Sequence, residues 1–174
     1  DGLAEYKGSF SKVCICHGIL HGEKMFPEKR MEEMSVDMMQ SIFYANTIVP
    51  SLWLKLLRKL VAGSIECKVA CFSARVGSTG DNALGGWYSY RASKAALNML
   101  IKTASIEQKR MRPNHCLLAL HPGTVASALS RPFKGDQIGR TPHDATFDML
   151  QVLLNVNASD SGKFLSYQGE EIPW

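Results

Sequence analysis

The chain has 174 residues, of which 45% are hydrophobic and 21% are charged, a composition typical of a globular domain. Its formal net charge is +4 and its basic residues are scattered, so we predict no surface for nucleic acid. No apolar run is long enough to span a bilayer, and no charged-then-apolar leader opens the sequence. We therefore expect one domain over residues 1–174 that binds neither nucleic acid nor membrane.

The cysteines indicate a reducing compartment. There are five, at Cys14, Cys16, Cys67, Cys71 and Cys116, an odd number, and most of them stand in apolar, strand-like runs. This pattern favours buried thiols over a disulfide framework, and it predicts a cytoplasmic protein.

Short apolar runs alternate with longer amphipathic stretches along the chain. The first run, at residues 12–16, predicts a strand, and Ser35 is a plausible N-cap for a helix that runs towards Leu60 with a kink at Pro50. A second strand is predicted at 67–73, a helix from Tyr90 to about Lys109, and a third strand at 115–120. Thr141 and Pro142 then open the last helix, and residues 163–167 form a final strand.

The order β-α-β-α-β-α-β predicts an α/β fold with a doubly wound, Rossmann-like parallel sheet. In such sheets ligands bind beyond the carboxyl ends of the strands. The segments after Cys16, Ser73 and Leu120 all lie there, and unusual residues are concentrated in them.

The pentapeptide Tyr90-Arg91-Ala92-Ser93-Lys94 carries the clearest chemistry. A Tyr and a Lys four positions apart share one face of a helix. A nearby ammonium lowers the pKa of a phenol from about 10, and a phenol tuned in this way transfers protons to and from a carbonyl oxygen. On five residues alone a surface Tyr–Lys pair is the more common interpretation, so the surrounding sequence decides between the two.

The surrounding sequence resembles the short-chain dehydrogenase/reductase family, in its C-factor-like and sniffer-like carbonyl reductase branch. The run DNALGGWYSYRASKAALN is long and specific, and the likeness continues through Leu120-His121-Pro122-Gly123-Thr124-Val125 to the final GEEIPW. The resemblance implies an NAD(P)-dependent oxidoreductase that acts on a small carbonyl or alcohol. It also implies a homodimer or tetramer formed through the helices that contain Asn46 and Tyr90.

The resemblance implies a catalytic role for four positions. Tyr90 would be the general acid or base, and Lys94 would bind the nicotinamide ribose and lower the pKa of Tyr90. Asn46 matches the Asn that holds a water in a proton relay to the lysine. Many relatives have two serines at the end of the preceding strand where this chain has Ser73-Ala74, so Ser73 is the expected hydroxyl and Ser78 the alternative.

The resemblance also implies a set of contacts with NAD or NADP, without indicating which of the two is bound. Gly18 matches the glycine on the adenine side, within Cys16-His17-Gly18 where relatives have Asn-Ala-Gly. The loop after the third strand would face the nicotinamide through Pro122, Gly123, Thr124, Val125 and Ser127. His17 and His21 have no third ligand spaced nearby, so we expect no metal site. Trp87 and Tyr88 either line the substrate pocket or pack at its rim.

One part of the family pattern has no counterpart in this sequence. Members of the family open with a strand, a glycine-rich turn and a helix that hold the cofactor pyrophosphate, and no glycine-rich segment precedes residue 12. The chain also begins with Asp1 rather than Met. The expectation is thus a carboxyl-terminal, four-strand portion of the fold, with a bare first strand that a further segment or a partner covers. The alternative function is a catalytically silent fragment that acts in assembly or signalling.

Overall fold

The computed structural model describes residues 2–23, 25–62 and 66–174. Four strands form one sheet in the order β1-β2-β3-β4: Lys12–Ile15, Lys68–Phe72, Cys116–His121 and Phe164–Ser166. All three neighbouring pairs are parallel, which confirms the predicted sheet. The observed strand ends differ from the predicted ones by one residue or so, because terminal residues lack complete ladder partners.

The register of the sheet aligns the carboxyl ends of the strands. Ile15 of β1 lies opposite Cys71 of β2, and Phe72 lies opposite Leu120 of β3. The loops that follow β1, β2 and β3 therefore leave the sheet at the same edge, where ligands of parallel α/β sheets bind.

Three helices begin at or near the predicted residues, and a fourth, short helix lies outside the prediction. Helix α1 spans Val36–Phe43, and its N-cap Ser35 accepts a hydrogen bond from Met38 N. Helix α3 spans Tyr88–Met111, beginning two residues before the predicted start. The short helix α4 spans Gly135–Ile138, and α5 spans Pro142–Asn155 with the side chain of Thr141 as its cap.

The long helix expected between Ser35 and Leu60 is interrupted, and the interruption precedes the predicted kink. Residues Tyr44–Ile48 form a π-helical turn, after which α2 continues over Val49–Leu60. Pro50 lies in the first turn of α2. A proline lacks a backbone donor and its ring collides with the carbonyl four residues earlier, so a wider turn before it relieves that collision.

Helices cover both faces of the sheet. On one face, Val69, Cys71 and Leu117 pack against α2 and α3 through Leu57 and Leu97. The opposite face carries a second core, in which side chains of β2, β3 and β4 meet those of α5: Ala70, Leu118, Leu120, Leu165, Ala145, Met149 and Leu153. This two-sided burial explains why β2 and β3 are apolar along nearly their whole length.

Strand β1 lies at the edge of the sheet and is less buried than β2 and β3. Its residue Cys14 and the following Cys16 are exposed, whereas Cys67, Cys71 and Cys116 are buried, so the expectation of buried thiols holds for three cysteines only. The exposed pair lies where β1 has no neighbouring strand on its outer side. Among the described helices, none combines the length and apolarity needed to cross a membrane.

Candidate active site

The first turns of α3 bring Tyr90 and Lys94 to the carboxyl edge of the sheet. Both side chains are buried, with 7% and 3% of their surface exposed. The Nζ atom of Lys94 lies 5.9 Å from the centre of the Tyr90 ring. It also donates a hydrogen bond of 3.0 Å to the carbonyl oxygen of Phe72, the last residue of β2. The pair is thus fixed to the carboxyl end of a central strand.

The expected lowering of the Tyr90 pKa is wrong for the chain by itself. Burial raises the pKa of the Tyr90 phenol to about 12. Burial also lowers the pKa of the Lys94 ammonium to about 8, since the charged form is the one that loses hydration. At 5.9 Å from the ring centre, the ammonium does not offset the loss of water around the phenol.

Asn46 lies at the centre of the π-helical turn and is fully buried. Its side-chain oxygen accepts a hydrogen bond from Ile19 N at 2.7 Å, and its Nδ2 donates to Ile19 O at 2.9 Å and to Ser93 Oγ at 3.1 Å. Asn46 therefore joins the loop after β1 to α3, next to the lysine. The wide π turn points this side chain into the fold. In a regular α-helix the side chain at the same position would point in a different direction.

Gly18 connects the predicted residues in space. A Cβ atom added at Gly18 would lie 3.2 Å from Lys94 Nζ and 3.4 Å from Asn46 Oδ1. Lys94 and Asn46 therefore both face the backbone of the loop after β1. A side chain at position 18 would crowd the ammonium, which explains the need for glycine here.

The two candidate serines differ in what their hydroxyl groups do. The Ser73 hydroxyl is buried and donates a hydrogen bond of 2.6 Å to the side-chain oxygen of Asn98. In this arrangement its proton is not available to a substrate, which weighs against the preference for Ser73. The Ser78 hydroxyl accepts a hydrogen bond from Asp81 N at 3.0 Å, and an acceptor of this kind keeps its own proton to donate.

The loop after β3 turns sharply at Gly123. Gly123 has a φ of 76°, and a Cβ there would lie 2.9 Å from the Tyr167 ring. Beyond Pro122 and Gly123, Thr124 O accepts a hydrogen bond from Arg140 N at 2.9 Å, and Val125 pairs with Arg140. Ser127 opens the next turn, where its carbonyl oxygen accepts from Ser130 N.

An aromatic cluster, which the sequence pattern did not predict as a unit, extends from Tyr90. The Trp87 ring lies 6.1 Å from the Tyr90 ring and 5.0 Å from the Phe133 ring, measured between centroids. His21 meets Phe133 at 5.9 Å and stacks on Phe26 at 6.0 Å, while its Nε2 atom lies 3.1 Å from Ala128 O. The cluster joins three segments that are far apart in sequence, which is why no local pattern shows it. Trp87 thus lies beside the candidate acid.

His17 and His21 are engaged with different aromatic neighbours. The His17 ring stacks on Trp53 at 6.1 Å, away from the cluster that contains His21. Over residues 2–23, 25–62 and 66–174, no three side chains of His, Cys, Asp or Glu converge in the geometry of a metal site.

Comparison with known proteins relates the chain to dehydrogenases and reductases. It is 33% identical over 141 residues to 1-hydroxy-2-glutathionyl-2-methyl-3-butene dehydrogenase of Rhodococcus sp. (strain AD45), covering 81% of the chain and 61% of that protein. It is 40% identical over 108 residues to the C-signal protein of Myxococcus xanthus, covering 62% of the chain and 61% of that protein. The chain thus spans about three fifths of the length of these relatives. No family model matches the chain.

A solved structure shows the same fold. The NADPH-bound carbonyl reductase from chicken fatty liver superposes with a TM-score of 0.73 at 28% identity, over 83% of this chain and 60% of that one. The parallel sheet, its flanking helices and these relatives define a Rossmann-like protein of the oxidoreductase type. More particularly, the chain is similar to proteins of the short-chain dehydrogenase/reductase type, to which its motifs also point.

Proposed function

We propose that the chain carries the proton-transfer centre of an NAD(P)-dependent oxidoreductase that reduces a carbonyl to an alcohol, or catalyses the reverse reaction. The observation that carries the proposal is the convergence of Lys94 and Asn46 on Gly18 at the carboxyl edge of the sheet, with Tyr90 beside Lys94. The dehydrogenase and carbonyl reductase named above support the same reaction class.

Tyr90 would act as the general acid in carbonyl reduction. A phenol with a pKa of about 12 is protonated at neutral pH, which is the state that donates a proton. The proton moves from Tyr90 Oη to the substrate oxygen while the carbonyl carbon accepts a hydride, so one proton and one hydride convert C=O to CH–OH. The Lys94 ammonium nearby stabilises the phenolate that remains.

The residues around Lys94 fit a nicotinamide cofactor, which would supply the hydride. The ammonium has three donor hydrogens, and within the described residues one of them is used by Phe72 O. The others are available for ribose hydroxyls, together with the Tyr90 hydroxyl. Gly18 would lie on the adenine side. The backbone of Pro122, Gly123, Thr124 and Val125, with Ser127, would face the nicotinamide, and the positive φ of Gly123 brings that backbone close without a side chain.

Ser78 is the better candidate for polarising the substrate carbonyl. Its hydroxyl keeps a proton to donate, whereas that of Ser73 is donated to Asn98. Ser73 would then have a supporting role, since Asn98 also donates to Gly77 O at 3.4 Å and so fixes the loop that presents Ser78.

A homodimer or tetramer would form through the outer surface of α2 and α3 and the π-helical turn. Exposed apolar side chains recur every four residues along this surface, at Tyr44, Ile48, Leu52 and Leu56. Such a stripe is a typical helix–helix interface. We expect Leu52→Glu to shift the protein to monomers in sedimentation velocity. The control, Leu84→Glu, alters a leucine that is 93% exposed outside the stripe and should leave the assembly unchanged.

The remaining expectations concern compartment and organisation. Three buried thiols without disulfide partners, Cys67, Cys71 and Cys116, support a reducing, cytoplasmic location. The continuous sheet from β1 to β4 supports the treatment of residues 1–174 as belonging to one domain.

The proposed function is tested by Tyr90→Phe in the full-length protein, with NADPH and benzaldehyde as the probe pair. Turnover should fall by about a hundredfold or more, because the transferable proton is lost while the ring remains. Cofactor affinity, measured by calorimetry, should stay within about threefold, since a single hydroxyl contact is removed. Tyr88→Phe on the same helix is the matched control and should retain turnover. Equal turnover in the Tyr90 variant and the control would refute the assignment.

A further inference from the structure

The helix that carries Tyr90 begins at an unusual turn. Gly85, Gly86 and Trp87 all have left-handed backbone angles, with φ of 65°, 65° and 54°. Two of the three are glycines, which adopt this region freely, but a bulky Trp does so only when its surroundings enforce it. Trp87 is the N-cap of α3, and its side chain makes no capping hydrogen bond.

The missing cap is supplied by Glu28, a residue from the loop after β1. The first N–H groups of a helix have no partner within it. Glu28 Oε2 accepts a hydrogen bond from Ser89 N at 3.2 Å, and Glu28 Oε1 accepts from the Ser89 hydroxyl. The carbonyl oxygen of Glu28 accepts in turn from Trp87 N. Glu28 therefore accepts hydrogen bonds from the N–H groups of both the first turn of α3 and the left-handed turn before it.

The carboxylate of Glu28 lies in the protein interior, where carboxylates are rare. Glu28 is 1% exposed, and in the part of the chain that the structure describes no basic side chain forms an ion pair with it. Buried carboxylates require compensation, and here the N-terminus of a 24-residue helix and the two Ser89 donors provide it.

The turn is also held from the helix side. Arg91 Nε donates to Gly86 O at 2.9 Å, and its Nη2 donates to Gly85 O at 2.9 Å. Arg91 therefore binds the carbonyl oxygens of the turn, and Glu28 binds its last N–H group, that of Trp87. Together these hydrogen bonds fix the position of Trp87, whose ring contacts Tyr90 and Phe133.

From these contacts we infer that Glu28 is a positioning residue for the Tyr90 centre: it caps α3 and holds the 85–87 turn so that Trp87 and Tyr90 present one fixed face to the substrate. This inference rests on the proposed function for its catalytic consequence. The structural part, the capping of Ser89 by Glu28, is independent of catalysis and can be measured separately.

The test compares Glu28→Ala, Glu28→Gln and the control Glu32→Gln, which alters an exposed glutamate of the same segment, in the full-length protein. Amide hydrogen exchange at Ser89 should accelerate about tenfold in Glu28→Ala, since a charge-assisted bond is lost. The acceleration should be smaller in Glu28→Gln, whose amide oxygen still accepts from Ser89 N, and absent in the control. With NADPH and benzaldehyde, kcat should fall about tenfold in Glu28→Ala, while the Kd for NADPH should stay within about twofold, because Lys94 is not displaced.

Each outcome bears on one part of the inference. Unchanged exchange at Ser89 overturns the cap. Faster exchange with unchanged kcat overturns the link between the cap and Tyr90. If Glu28→Ala does not fold, the test is made with Glu28→Gln, again by exchange at Ser89 and by kcat. A wild-type protein without any reductase activity contradicts the proposed function, and the exchange measurement still decides the cap.

Discussion

The buried charge of Lys94 destabilises the folded protein, and removing this charge should raise the free energy of unfolding. The side chain is 3% exposed, and burial lowers its pKa from 10.5 to about 8. In Lys94→Met a linear apolar side chain of similar length replaces the ammonium. We therefore expect the cofactor-free full-length variant to be inactive and more stable than the wild type at neutral pH.

The magnitude follows from the two pKa values. A pKa difference of one unit corresponds to about 1.4 kcal/mol, so holding Lys94 charged in the fold costs about 3 kcal/mol at pH 7. The hydrogen bond to Phe72 O offsets about 1 kcal/mol of this cost, which leaves a net gain of about 2 kcal/mol in the variant. Because the folded-state pKa is the lower one, the unfolded chain binds more protons between about pH 8 and 10.5. The contribution of Lys94 to wild-type stability therefore rises across this window, and the advantage of the variant shrinks to near zero by about pH 10.

Urea unfolding of both proteins at neutral pH and near pH 10 measures this difference. Lys102→Met is the matched control, because Lys102 lies on the same helix, is half-buried and donates a similar 3.0 Å bond to Gly162 O. Burial raises the pKa values of Cys71 and Tyr90 to about 12, so ionisation of these groups in the unfolded chain lowers the stability of both proteins in this window and cancels in the difference between them. Two results would refute the reasoning. One is a Lys94→Met variant that is less stable than the wild type at neutral pH, and the other is the same difference in free energy of unfolding at both pH values.

Two further predictions concern the loop after β2. Ser78→Ala should lower turnover about tenfold or more in the NADPH and benzaldehyde assay, whereas Ser73→Ala should act mainly on thermal stability; the reverse ranking would restore Ser73 as the substrate hydroxyl. Gly77→Ala should destabilise the fold by about 1–3 kcal/mol in urea unfolding, because its Cβ would lie 2.7 Å from the Lys94 Cβ. Gly22→Ala, with its nearest contact at 3.6 Å, is the control, and equal midpoints for the two variants would contradict the packing argument.

Sequence periodicity was sufficient for the sheet and most helix starts. Strands β2 and β3 are apolar because both of their faces are covered, and that burial is visible in the sequence as unbroken apolar runs. Ser35 and Thr141 were recognised as caps because capping depends on a residue's immediate neighbours. The π turn was not foreseen, since a proline predicts a disturbance in a helix but not the form that the disturbance takes.

The site was only partly predictable for a related reason. The Tyr90–Lys94 spacing is local, so the sequence shows it directly. The pKa of Tyr90 depends on how deeply the side chain is buried, and the available proton of Ser73 depends on Asn98, which lies 25 residues away. Glu28 shares its hydrogen bonds with a residue 61 positions later, so its burial leaves no trace in the pattern around it.

The most direct test of the account is a transfer experiment with NADPH that carries deuterium at the hydride position of its nicotinamide ring. The full-length protein is incubated with this cofactor and benzaldehyde, and the alcohol is examined by mass spectrometry. The account predicts one deuterium on the carbinol carbon, with its formation slowed about a hundredfold or more in Tyr90→Phe but not in Tyr88→Phe. Oxidation of the cofactor without deuterium in the alcohol, or equal rates of transfer in the two variants, would contradict it.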